Sequence, residues 1–370
     1  MLAAAAKLGA DTVGPNAARW ERDRRVPVEA LRQAAALGLT GIQVPRARGG
    51  RGAGFFAKLR IAEELSGHCM AFAFSLINTQ NVAAKLAKDG TAEQGERYLP
   101  RLLAGDLIGG TALSEPGAGS DFAAISTRAE PVPGGWRLTG EKAWITNAAV
   151  GGLFIVYAQA DPAKRGGGIG CFLVDAGKSG FERRPPFQLM GGHAIGAGGF
   201  SLADYFVAEA DVIHQPGEAF KAALGSINGA RTYVAAMCCG MVQAALSQAL
   251  RYGSERRTFG QPVIEHQGIK WLLADVATDL EAARLLTYRA AELIETGGDA
   301  VLAAAHAKKF AARMAVARIA DCIQAMGAAG LREEYGLGRH LACAKIAHYV
   351  DGSTEIQNER IGALMLKTYR

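Results

Sequence analysis

The sequence predicts a mainly helical α+β chain in three parts. These are an N-terminal helical domain over residues 1–108, a middle antiparallel β-barrel or sheet over 109–214, and a C-terminal four-helix bundle over 215–370. Three observations lead there. From Glu218 onward the chain is a succession of long, alanine-rich segments with amphipathic spacing and short joins, the pattern of an antiparallel bundle. Between Leu107 and His214 the apolar runs are short, strand-like and bounded by glycine or proline, with no helix-length segment between them. Before Leu107 the spacing is helical again.

Taken in order, Val28–Leu37 carries an apolar stripe that stops at Gly38, and Lys58–Leu65 and Phe72–Ala87 repeat it as two further helices. Pro45–Gly54 reads as a Gly/Arg-rich loop, and Glu93–Leu103 as a helix despite Pro100. Strands are expected at Trp136–Thr139, Leu153–Ala158 and Gly170–Val174, with turns at Pro133–Gly135 and Lys164–Gly168. A parallel dinucleotide-binding sheet is not expected, because no G-x-G-x-x-G joins a strand to a helix. Helices are expected over Phe220–Arg251, Gly268–Glu295, Ala300–Ala329 and Leu341–Val350, then Glu355–Leu366.

Composition narrows the function. The chain has 49% apolar and 21% charged residues, which is globular rather than disordered usage. Its net charge of +6 is scattered, without a block of like charges, which argues against a nucleic-acid arm and allows a phosphate-bearing ligand. The six cysteines form no C-x-x-C pair and no metal spacing, so no metal site is expected and a reduced, cytoplasmic setting is. No membrane span and no signal peptide are expected.

Four stretches could carry chemistry. Leu113–Asp121 holds Pro116, Gly117 and Gly119 between Ser114 and Ser120; on spacing alone it is either a turn or a nest of N–H groups that holds an anion. Trp144-Ile145-Thr146-Asn147 places an indole and a hydroxyl two residues apart, suited to a flat aromatic ligand or to a core and a turn. Arg256–Gly260, followed by His266 and Gln267, is a phosphate clamp or a solvated basic loop. Val350–Gln357 sets Asp351 at a corner between two helices, with Gly352 ending one and Ser353 or Thr354 capping the next. A carboxylate held there is either a proton-abstracting base or a solvated end group.

Together, in this order and over essentially the whole chain, the four stretches resemble the acyl-CoA dehydrogenase family of flavoproteins. The family's T-E-P-x-A-G-S-D loop matches Ser114–Asp121, W-I-T-N is unchanged, and E-R-x-T-F-G matches Glu255–Gly260. The resemblance implies FAD, held by Thr111, Leu113, Ser114, Gly119 and Ser120, by Trp144, Ile145 and Thr146, and by Ser353 and Glu355. It implies that Arg256, Thr258 and Phe259 contact the FAD of a neighbouring subunit, hence a homo-oligomer, dimer or tetramer, and that His266, Gln267, Gln324, Gly327 and Ala328 are further FAD-contact positions. Ser120, Asn228, Arg231 and Gly352 match substrate-contacting positions, and an electron-transferring flavoprotein is the implied acceptor.

The departures are informative. The family's usual base is a Glu in Y-E-G-T-S, where this chain has the shorter Asp351; the alternative base position, here Ala230, cannot act. Asn228 replaces an Asp, Ala328 a Gly, and the arginines expected in Met190–Phe200 and at Ala363 are missing. The implied reaction is FAD-dependent α,β-dehydrogenation of an acyl thioester, most simply an acyl-CoA, with Asp351 as base. The missing arginines favour the alternative of an acyl or hydroxyacyl group tethered to a carrier protein.

Overall fold

A computed structural model describes residues 1–368. The N-terminal part comprises helices α1 (Leu2–Leu8), α2 (Gly14–Asp23), α3 (Val28–Ala36), α4 (Phe55–Asp89) and α5 (Ala92–Leu103). Gly38, at φ 75°, stops the chain after α3 as its position predicts. Thr91 opens α5 with a capping box: its hydroxyl accepts from the Gln94 N–H while Gln94 accepts from the Thr91 N–H. The two helices expected over 58–87 form one assigned element, but Cys69 sits inside it with extended angles (φ −160°, ψ 107°). The chain folds back there, and Lys58 reaches Asn81 at 3.2 Å although 23 residues separate them.

The middle part is an eight-stranded sheet in the order β6-β7-β3-β2-β4-β5-β8, with β1 also paired to β4. Its strands are β1 (Gly109–Ala112), β2 (Arg128–Val132), β3 (Gly135–Ile145), β4 (Leu153–Gln159), β5 (Ile169–Asp175), β6 (Phe181–Arg183), β7 (Gly198–Ala208) and β8 (Val212–His214). The expectation of an antiparallel sheet is corrected here: β1 and β2 both pair with β4 in parallel, so the sheet is mixed. Alternation marks which residues face inward but says nothing of strand direction. The long connection between β1 and β2 lets the chain return to the same direction. Strand β3 also runs past the predicted Thr139 to Ile145, with register shifts between Leu138 and Gly140 and between Lys142 and Ile145.

The C-terminal part begins with α6 (Ala219–Glu255), followed by a small hairpin of β9 (Arg257–Thr258) and β10 (Gln261–Pro262). Helices α7 (Gln267–Glu295), α8 (Val301–Met326), α9 (Leu337–Ala347) and α10 (Thr354–Thr368) complete it. One core runs from α1 to α9 and joins the helical parts, including Trp20, Phe72, Tyr233, Met237 and Ile319. Helices α4 and α6 touch where only glycine fits, since a Cβ on Gly240 would lie 1.9 Å from the Glu63 carbonyl oxygen. Two segments, Ala219–Glu255 and Val301–Leu331, are long and apolar enough to cross a bilayer by length and composition, contrary to the reading of the bare sequence. In the first, 72% of the apolar window is buried inside the protein, as a central bundle helix requires.

Candidate active site

The loop after β1 is fixed from below. Glu115 is buried and accepts hydrogen bonds from the Ser126 N–H (2.6 Å) and hydroxyl (2.8 Å), from the Thr127 N–H (2.9 Å) and from Lys142 Nζ (2.7 Å). Burial pushes the carboxyl up, but Lys142 and these bonds outweigh it and hold it at about 2. Burial pushes Lys142 the other way, down to about 8, with Glu115 opposing. The pair is therefore ionised at neutral pH, and it clamps the loop onto β3. Above the clamp the loop is open. A Cβ on Gly117 or Gly119 would meet nothing within 4 Å. The N–H groups of Gly117, Gly119 and Ser120 have no partner among the described residues.

Trp144 stands beside this loop at the β3 bulge. Its backbone is left-handed (φ 63°), its side chain is 60% exposed, and its indole lies 4.3 Å from the Phe187 ring. An exposed indole on a strained backbone is an unusual use of a large apolar surface, and it offers a flat face to a ligand. Ile145 is buried and Thr146 is half-buried. Asn147 is buried and donates to the carbonyls of Ser75 (3.2 Å) and Gly109 (2.8 Å), tying the end of β3 to α4 and β1. These features fit FAD: free N–H groups for an anion, an exposed aromatic face and adjacent hydroxyls.

Asp351 lies at the corner the sequence predicts, but the corner is built differently. Helix α9 ends at Ala347 rather than Val350, and both Asp351 (φ 54°) and Gly352 (φ 94°) take left-handed angles. Asp is among the few side chains that tolerate them. Ser353 caps α10 by accepting from the Ile356 N–H at 3.4 Å, whereas the Thr354 hydroxyl turns to His348 Nδ1 at 3.0 Å. Asp351 Oδ2 is shielded from solvent and has no hydrogen-bond partner among the described residues. Burial pushes this carboxyl above its ordinary value, with Lys308 and Arg231 opposing.

The surroundings hold the backbone of the corner. Arg231 donates to the Asp351 carbonyl (3.4 Å) and to Asn228 Oδ1 (3.2 Å), both from α6. Lys308 Nζ donates to the Gly352 carbonyl at 2.8 Å, as does Gln357 Nε2 at 3.0 Å. Burial pushes Lys308 down to about 8, with Asp351 pulling it back up. The carboxylate is thus left free while its backbone is held by three donors.

The structure brings Asn228, Arg231, Asp351, Gly352 and Ser353 together. Thr111 lies on β1, and Leu113, Ser114, Gly119 and Ser120 follow it in the clamped loop. Glu355 is exposed in the first turn of α10. The remaining positions lie elsewhere. Arg256 follows the end of α6, 25 residues beyond Arg231, which is about 37 Å along a helix. Thr258 and His266 meet at 3.1 Å, Phe259 is 97% exposed, and Gln267 opens α7. Gln324, Gly327 and Ala328 close α8. His193, in the stretch that lacks the arginine, is held by Glu21 at 3.0 Å. The sequence reading missed the roles of Glu115, Lys142, Lys308 and Gln357. A charged residue inside a glycine-rich loop was the available signal for Glu115; the others sit in helical or strand patterns that do not distinguish them.

Comparison with known proteins agrees with this geometry. Three family models match: the N-terminal domain of acyl-CoA dehydrogenase over residues 1–106, the middle domain over 110–205 and the C-terminal domain over 217–366. A short/branched chain specific acyl-CoA dehydrogenase of Bos taurus mitochondria is 33% identical over 98% of this chain and 84% of its own. The butyryl-CoA dehydrogenase of Megasphaera elsdenii superposes with a TM-score of 0.94 at 30% identity, covering 99% of this chain and 97% of that one. An FAD complex of PigA superposes at 0.91 with 27% identity, covering 98% and 96%. The fold and site define a flavin-dependent oxidoreductase acting on CH–CH donors, with FAD as cofactor. The chain belongs to the acyl-CoA dehydrogenase family.

Proposed function

We propose that the protein dehydrogenates an acyl thioester between its α and β carbons, with Asp351 as the base that removes the α-proton. The observation that carries this reading is the Asp351 carboxylate: its Oδ2 is shielded from solvent and has no partner among the described residues, on a backbone held by Arg231 and Lys308. A carboxylate kept short of hydrogen bonds is more basic than one in water, which suits it to proton abstraction. When bound, FAD supplies the hydride acceptor and leaves the protein to provide position and electrostatics. The clamped loop, Trp144 and Thr146, with Ser353 and Glu355, are the residues proposed to hold it. Asn228, Arg231, Gly352 and Ser120 are proposed to line the thioester's path. The proposed division is helical to residue 108, β to 214 and helical beyond.

A carrier-tethered acyl or hydroxyacyl group is the second reading. The missing arginines at Met190–Phe200 and Ala363 favour it, since a carrier-bound thioester presents no adenine nucleotide. Arg256, Thr258, Phe259, His266, Gln267, Gln324, Gly327 and Ala328 lie too far along the bundle to serve the Asp351 site of their own chain. We propose that they complete the FAD site of a second copy, in a homo-oligomer. The exposed Phe259 and the 64% exposed Trp271 support such an interface. The six buried, unpaired cysteines support a reducing, cytoplasmic setting. An electron-transferring flavoprotein is the proposed acceptor. Anaerobic mixing of the flavoprotein with acyl-CoA or with acyl-carrier protein tests the reading. The thioester that bleaches the flavin identifies the substrate class, and bleaching by neither removes the proposal.

A further inference from the structure

We propose that Lys58, with Asn81 and the Tyr233 hydroxyl, forms the far end of the acyl pocket and selects an acyl group whose remote end carries a carboxylate. This rests on the dehydrogenase reading above, which puts the reacting end of the acyl group at Asp351.

Lys58 is 6% exposed, and among the described residues no carboxylate lies within ion-pairing distance of it. Its Nζ makes one hydrogen bond, to Asn81 Oδ1 at 3.2 Å, and otherwise lies over the rings of Phe55 (4.7 Å) and Tyr233 (5.6 Å). Three donors are available on an ammonium group, so two remain to be used. The other buried lysines of this chain are provided for differently. Lys142 is paired with Glu115 at 2.7 Å, and Lys308 faces Asp351 and bonds the Gly352 carbonyl. Burying a cation without a counter-ion is costly, and burial here pushes Lys58 down to about 7.

The position is what makes the cost meaningful. Tyr233 is buried on α6, two residues beyond Arg231, and the Asp351 charge acts on its hydroxyl. Asn81 Nδ2 bonds that hydroxyl at 3.4 Å. Asn81 thus bridges the Tyr233 hydroxyl and Lys58, and Lys58 also lies over the Tyr233 ring. The break at Cys69 is what folds Lys58 back onto Asn81. Phe74 stands against Tyr233, ring centroids 6.4 Å apart. A carboxylate arriving beside Lys58 would accept from Nζ and from the Tyr233 hydroxyl, and supply the missing counter-charge.

The test uses the FAD-loaded protein with pantetheine thioesters, the portion that CoA and carrier-protein substrates share. Succinyl, glutaryl and adipyl thioesters are compared with methyl-ended thioesters of matched length, by calorimetric binding and by anaerobic flavin bleaching. The wild type is expected to prefer the carboxylate-ended series. Lys58→Met is expected to weaken binding of that series on the order of 100-fold while leaving the methyl-ended series unchanged or tighter. Retained FAD absorbance in Lys58→Met shows that the variant is folded, and Lys58→Arg is expected to recover part of the preference. A wild type that prefers methyl-ended chains, or a variant that weakens both series alike, overturns the inference. Selective binding without bleaching would keep carboxylate recognition and remove the dehydrogenase reading instead.

Discussion

Replacing Glu115 by leucine is expected to destabilise the middle part of the chain far more than an ordinary loop substitution. The carboxylate serves four donors, from Ser126, Thr127 and Lys142, and its removal leaves a buried ammonium without its partner. Breaking a buried ion pair from one side costs about 3–5 kcal/mol. The pKa route gives a similar figure: a carboxyl held at about 2 instead of 4.5 corresponds to roughly 3 kcal/mol. The sign follows from the depressed value. This stabilisation is present above the unfolded value near 4.5 and is lost as the pH falls toward 2. Urea denaturation of the apoprotein at pH 7 reads the cost, and FAD titration reads the effect on the loop, expected as at least ~10-fold weaker binding. Adding Lys142→Met to Glu115→Leu should recover more than half of the lost stability, because two apolar side chains leave no orphaned charge. A loss below ~1 kcal/mol in the single variant, or a double variant that is worse still, would refute this account of the loop.

Two further expectations follow from the site. Trp144→Ala should weaken FAD binding roughly 5-fold, about 1 kcal/mol of aromatic contact, while leaving the apoprotein's melting temperature unchanged because the indole is largely exposed; unaltered FAD affinity would remove Trp144 from the cofactor site. The acid limb of kcat/KM should lie above the ordinary carboxylate value of 3.8, since burial raises Asp351 and only its ionised form accepts a proton. Lys308→Met should move that limb further up, because the lysine's charge opposes the rise; a limb that stays in place, or moves down, contradicts the assignment.

The helices were legible because their amphipathic period is long and repeated. The break between Lys58–Leu65 and Phe72–Ala87 was visible before the structure placed Cys69 there. Strands β1 and β2 were not legible, being short and carrying glycine or proline and charge, and so their parallel pairing with β4 was hidden too. At the site, Asp351 and its glycine stand out as a local stop signal, and the loop around Ser114 by its composition. The groups that support them were invisible. Lys308 lies 43 residues before Asp351 inside an alanine-rich helix, and Lys142 lies beyond the predicted end of its strand at Thr139. Lys58 is hidden for the same reason: a lysine in a helical pattern reads as a solvated face until the fold buries it.

The central claim is that Asp351 removes the substrate's α-proton. The most direct measurement is anaerobic, single-turnover flavin bleaching of Asp351→Asn by whichever thioester reduces the wild type. The variant is expected to keep its FAD and its thioester affinity while its reduction rate falls by ~10²–10⁴-fold, the range of general-base catalysis. Bleaching at the wild-type rate would show that the proton leaves by another route.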